Sequence, residues 1–206
     1  MNAAEIFDAV RSLSIPAVLA AIKSGSDTSS IREWEGSVLE AAIRPNPLTT
    51  SNARNRIPAS ATQIIIIALL LTNGARHNPS NSPMGSAVTA AAYLEYVDIL
   101  KALVEAGCSA NPPPGRFGTP IIAAAEAGQI AAVKLLLEKG VDPNAISNEG
   151  LYRTPLEAAI KMSRSVKPLK VLMDAGAKDY GTVLEDKVKQ RLVITFWMLF
   201  CVCIAI

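Results

Sequence analysis

Along the chain, apolar residues gather in short runs with helical spacing, and several of these runs end alike. "LAAIKSG", "ALLLTNG", "KALVEAG", "KLLLEKG" and "KVLMDAG" close on Gly25, Gly74, Gly107, Gly140 and Gly176. A glycine just past a helix end can take a positive φ at little cost. The intervals between these glycines are 49, 33, 33 and 36 residues. A second, shorter pattern follows each of the first four: "SVLEAAI" from Ser37, "SAVTAAA" from Ser86, "TPIIAAA" from Thr119 and "TPLEAAI" from Thr154. These starts lie 12, 12, 12 and 14 residues after the preceding glycine. Ser and Thr are good helix N-caps, and proline suits the first helical position after Thr119 and Thr154. Each period therefore predicts two helices, the first opened by a hydroxyl and the second closed by a glycine.

Local details sharpen this pattern. Ser37 with Glu40, and Thr154 with Glu157, match the capping box. After Thr119 the corresponding residue is Ile122, which cannot accept a hydrogen bond, so Thr119 is left to cap alone and Ile122 gains only by burial between repeats. The first interval exceeds 33 by 16 residues, and "PNPLTTSNARNRIPAS" at 45–60 has that length. Its Pro, Asn, Ser and Thr mark it as a loop inserted between the two helices of one repeat. "QIIIIALLL" reads locally as a buried strand, but its register with "KLLLEKG" makes it a second helix. Two markers that stay in phase are more specific than one local propensity.

A period near 33 residues is the mark of a solenoid. The Thr-Pro-Leu-x-x-Ala-Ala starts and the "LLLEKGVDPNA" ends resemble the ankyrin repeat. The resemblance runs over about 3–180 and is strongest in 85–160. It implies an all-α, ankyrin-like α-solenoid of about five stacked helix-turn-helix repeats: 3–35, 36–84 with the inserted loop, 85–117, 118–152 and 153–180. A C-terminal helix with an apolar tail would follow at 181–206. The first two repeats are degenerate, and none carries the family's His after Thr-Pro-Leu.

Composition agrees with packed helices: 50% of the 206 residues are hydrophobic, yet only 5% are aromatic. The net charge of +2 gives no nucleic-acid footprint. Cys108, Cys201 and Cys203 form no disulfide framework, and "MNAAEIFDAVRSL" is not a secretory signal. A cytoplasmic or nuclear protein is expected.

Catalytic constellations are missing from the sequence. His77, in "GARHNPSNSP", reads as a turn residue without a metal-binding companion. "GRFG" at 115–118 lacks the Lys-Ser/Thr of a phosphate loop and reads as a turn tip. Glu40 and Glu157 are helix-start groups of different repeats, and Arg54 and Arg56 sit in a polar loop. No enzyme activity, cofactor or metal is expected. The resemblance implies instead that another protein binds the turn tips (77–84, 111–117 and 145–153) and the exposed face of the first helices. Arg and Tyr are favoured at interface centres. The candidate contacts are Arg116, Phe117, Glu149, Tyr152 and Arg153, on a chain expected to be monomeric. For Phe117 and Tyr152, packing on their own turn is an equal alternative.

The tail from Leu192 to Ile206 is apolar except for Thr195. A solenoid cap should be polar outside, so three readings stay open: a membrane anchor, an artefact of the chain end, and a segment folded over the last repeat. As an anchor, its 15 residues would reach only about 22 Å as a helix, against a hydrocarbon core of about 30 Å. Two alternatives to a free binding module follow: a membrane-tethered adaptor that recruits a client, and the non-catalytic regulatory remnant of a larger protein.

Overall fold

The computed structural model describes residues 3–32, 36–44, 61–75, 85–162 and 167–178. The tip at 77–84, the inserted loop 45–60 and the tail 179–206, with the expectations placed on them, lie outside these residues.

The described helices come in pairs. The first members are α1 (Ala3–Arg11), α3 (Val38–Ile43), α5 (Ala87–Leu94), α7 (Pro120–Ala127) and α9 (Pro155–Met162). The second members are α2 (Ile15–Lys23), α4 (Ala61–Thr72), α6 (Val97–Glu105), α8 (Ile130–Glu138) and α10 (Lys167–Asp174). Each packs against its mate, and each row stacks in order: α1, α3, α5, α7, α9 in one layer and α2, α4, α6, α8, α10 in the other. The result is an all-α solenoid, with a short antiparallel hairpin before α3, where β1 (Ile31–Arg32) pairs with β2 (Gly36–Ser37). "QIIIIALLL" lies in α4, with Ile66, Ile67 and Leu70 fully buried and Ile65 exposed.

Alanine makes the close stacking of the first helices possible. Ala90, Ala91, Ala92, Ala123, Ala124 and Ala125 are all fully buried. With a methyl group as the whole side chain, no rotamer freedom is lost on burial.

The second helices end in one repeated device. After α8, the Gly140 N–H donates to the Leu137 carbonyl at 2.9 Å and the Val141 N–H to the Leu136 carbonyl at 3.0 Å. This is the Schellman motif, with Gly140 at φ +80°. The same two bonds recur at Gly25, Gly74, Gly107 and Gly176. The residue after the glycine then packs against the helix's last turn. Cys108 holds that place after α6, which explains its burial; the apolar surroundings push its thiol up to about 11.

The residues after these glycines tie neighbouring repeats together. Asp142 accepts the Asn144 N–H at 2.8 Å, fixing a turn. The Asn144 amide then donates to the Gly176 carbonyl at 3.1 Å and accepts the Lys178 N–H at 2.7 Å. Near the other end, Asp27 holds the Ser29 N–H at 2.8 Å, and the Ser29 hydroxyl donates to the Gly74 carbonyl at 3.1 Å. "VDPNA" is thus a staple between consecutive second-helix ends.

The first-helix starts carry the expected hydroxyl cap at three of four places, but the reciprocal glutamate bond of the capping box forms at Ser37 and not at Thr154. Ser37 and Glu40 form the full capping box, with the Ser37 N–H donating to Glu40 Oε2 at 2.8 Å. Ser86 accepts the Thr89 N–H at 3.0 Å. Thr154 accepts the Glu157 N–H at 3.1 Å, while the Glu157 carboxylate reaches past the cap to the Arg153 N–H at 3.0 Å. Thr119 is the correction: it makes no side-chain cap, and its Oγ1 is the one fully enclosed polar side-chain atom without a partner among the described residues. Where the other repeats place Thr or Glu at the third helical position, Ile122 offers only hydrocarbon, and it is fully buried.

Among the described residues, no helix is long and apolar enough to cross a membrane.

Candidate protein-docking site

The connections between repeats project as turns, and two of them form the candidate site. In the first, the Gly115 and Gly118 backbones exchange hydrogen bonds of 3.2 and 2.7 Å, closing a tight turn over Arg116 and Phe117. In the second, the Ser147 N–H donates to the Arg153 carbonyl at 2.9 Å, closing a wider turn over 148–152. The Ser147 hydroxyl stiffens it from within, donating to the Glu149 carbonyl at 2.6 Å and accepting the Glu149 N–H at 3.1 Å.

The two turns abut at Gly150. A Cβ there would lie 2.7 Å from the Gly118 nitrogen, 3.1 Å from the Arg116 oxygen and 3.2 Å from the Phe117 carbonyl carbon. No side chain fits that contact, and the φ of +92° independently favours glycine. Backbone touching backbone brings the two groups of candidate residues into one patch.

Within the patch the side chains divide. Arg116, Glu149 and Arg153 are exposed. Phe117 is half-buried, its ring centroid 4.5 Å from that of Tyr93 on α5, and the Arg116 guanidinium lies 5.8 Å from the centre of the Phe117 ring. Tyr152 is only 9% exposed. Neither aromatic ring stands out from its turn. Both lie back along the first-helix layer, because a large apolar ring gains most where it leaves water. Of the two readings the sequence left open for Tyr152, an exposed anchor and a packed ring, its burial is the second. Burial keeps its phenol above the ordinary value, with the Glu126 and Glu157 charges adding to the effect and Lys161 opposing it.

Two apolar side chains on the same turn were not expected from the sequence: Ile146 is 59% exposed and Leu151 is 76% exposed. Their signal was present, since an Ile and a Leu within eight residues of a polar turn have no helix face to join.

Lys161 and Glu157 complete the inner edge of the patch. The Lys161 ammonium donates to Glu157 Oε1 at 2.6 Å and lies 6.0 Å from the centre of the Tyr152 ring. Burial alone would raise the Glu157 carboxyl, but the hydrogen bonds from Lys161 and the Arg153 N–H, with the charges of both residues, hold it below the ordinary carboxylate value. Glu126, on α7, is 9% exposed, and burial pushes its carboxyl up. Among the described residues, no group of three or more His, Cys, Asp or Glu is placed to hold a metal ion.

The family model described as "Ankyrin repeats (3 copies)" matches residues 58–147 and 89–182, more than half of the chain. No curated protein matches it. Repeats of this family generally mediate protein–protein interaction and are generally non-catalytic. Residues 3–57 lie outside the match, yet α1, α2 and α3 continue the same two layers. The paired helices, their glycine-closed ends and the family match lead to one conclusion: the chain belongs to the ankyrin-repeat family.

Proposed function

We propose that this chain is a non-catalytic docking module whose partner protein sits on the joined turns at 115–118 and 146–153. The observation that carries the reading is the backbone contact at Gly150, which assembles Arg116, Glu149, Leu151 and Arg153 into one exposed patch. Leu151 and Ile146 supply apolar area, while Arg116, Glu149 and Arg153 supply charges for a polar rim. This is the usual make-up of a protein interface. Phe117 and Tyr152 contribute from below, Phe117 with its remaining exposed edge and Tyr152 as the wall that sets the first-helix face. The monomeric state and the cytoplasmic or nuclear setting belong to the same proposal.

The experiment is affinity capture with residues 1–181, followed by mass spectrometry, against a variant with alanine at Arg116, Glu149, Leu151 and Arg153. The variant is expected to lose the captured protein while keeping the helical circular dichroism and melting midpoint of the parent. Undiminished capture would move the docking site away from these turns.

A further inference from the structure

Counting from each cap puts Tyr93, Glu126 and Lys161 at the same place, the second-last residue of α5, α7 and α9. Phe117 and Tyr152 likewise share the place two residues before a cap. Tyr93, near the end of α5, meets Phe117 on the turn that closes the same repeat; Glu126 and Tyr152 hold the same two places one repeat on, and the Glu126 charge acts on the Tyr152 phenol. The chain satisfies Tyr93 with the Phe117 ring and Lys161 with the Glu157 carboxylate. The Glu126 carboxylate has neither a hydrogen bond nor an ion pair among the described residues.

Everything local argues against an anion here. Glu126 is nine-tenths buried, which penalises its charge. It stands in the last turn of α7, at the negative end of the helix dipole. Yet its oxygens are not sealed off, since Thr119 Oγ1 is the only unpartnered side-chain polar atom fully enclosed among the described residues. A charge that costs the free fold and remains reachable fits a group whose counter-ion arrives from outside.

We propose that Glu126 anchors one basic side chain, arginine or lysine, of the partner segment where it crosses the first-helix face beside Tyr152. This rests on the docking reading above and adds the chemical class of the contact. A partner cation supplies the charge that desolvated Glu126 lacks. Tyr152 walls the position on one side, and the Lys161 ammonium, already held by Glu157, is not drawn across.

The test uses the full chain labelled for carboxyl carbon NMR and two probes, acetyl-arginine amide and the uncharged isostere acetyl-citrulline amide. The arginine probe should displace the Glu126 side-chain carboxyl resonance and lower its titration midpoint, with no such response to citrulline. Ring resonances of Tyr152 should move with it, and that movement should vanish in Glu126→Gln. The proposal is overturned if Glu126 responds to arginine no more than Glu138, an exposed carboxylate on α8, or if the Tyr152 shifts persist in Glu126→Gln. An arginine response that survives alongside undiminished capture by the four-alanine variant would sink docking at the turns but not the cation contact. The reverse pattern would sink only the contact.

Discussion

Glu95 holds a backbone conformation that its counterpart assigns to glycine. It ends α5 at φ +63°, while the equivalent residue ending α7 is Gly128 at +76°. A left-handed conformation costs a non-glycine residue about 1–2 kcal/mol, and glycine returns about half of that gain through its looser unfolded chain. Glu95→Gly should therefore stabilise the protein by ~0.5–1 kcal/mol, read as a raised urea midpoint; a lowered midpoint would show that the Glu95 side chain matters more than its backbone. Ile122 invites the opposite change. It is fully buried beside Gly118, so Ile122→Glu should lower the midpoint even though the new carboxylate could reach the Thr119 N–H, as Glu40 reaches that of Ser37. Glu126→Gln has a pH signature. The native carboxyl titrates above its ordinary value of 4.5, so the fold binds the proton more tightly than the unfolded chain. Stability from this group is present below that value and is lost as pH rises through the native pKa. The variant should thus melt higher than the parent at neutral pH, with the difference shrinking as the pH falls towards 4; a difference independent of pH would refute the burial cost. At this scale the sequence was legible where spacing alone decides, as at Ser37, Ser86 and Thr154. It was silent on Glu126 and left Tyr152 open, because both depend on a neighbour far along the chain.

The elements are held by two kinds of contact, and substitution at two glycines separates them. At Gly140 a Cβ meets nothing within 4 Å, so Gly140→Ala pays only for φ +80°, about 1–2 kcal/mol. At Gly150 the same change also drives a methyl group into the backbone of the neighbouring turn, and overpacking adds about 1–3 kcal/mol. Paired denaturation curves should place Gly150→Ala clearly below Gly140→Ala; equal midpoints would mean that the two turns do not touch in solution. Helix pairs, their order and the α4 assignment were all readable from period and phase. The turn-to-turn contact was not, since "NEGLY" carries no mark of what its glycine meets. The staple at Asn144 was visible only as part of a family-like ending, without the hydrogen bonds that give it purpose.

Over the whole molecule, stability is a sum of repeats and of the interfaces between them. Stacking is most extensive along α5, α7 and α9, whereas α3 is a six-residue helix between smaller contacts. Amide exchange should therefore be slowest in α5–α8 and faster in α1–α3; uniform protection would indicate a single cooperative unit instead. Length, period and layer order follow from the sequence because each repeat meets only its neighbours. The docking patch does not, because it is made where two repeats meet. The Gly150 contact also has a mechanical meaning. Side chains packed between repeats can change rotamer when the stack flexes, but two peptide backbones in direct contact have no such slack. Bending that closes the turns on one another meets a hard stop there, while that contact itself does not resist bending that parts them. The solenoid is a spring with a one-sided limit, and a partner spanning both turns would grip it on the side where it opens.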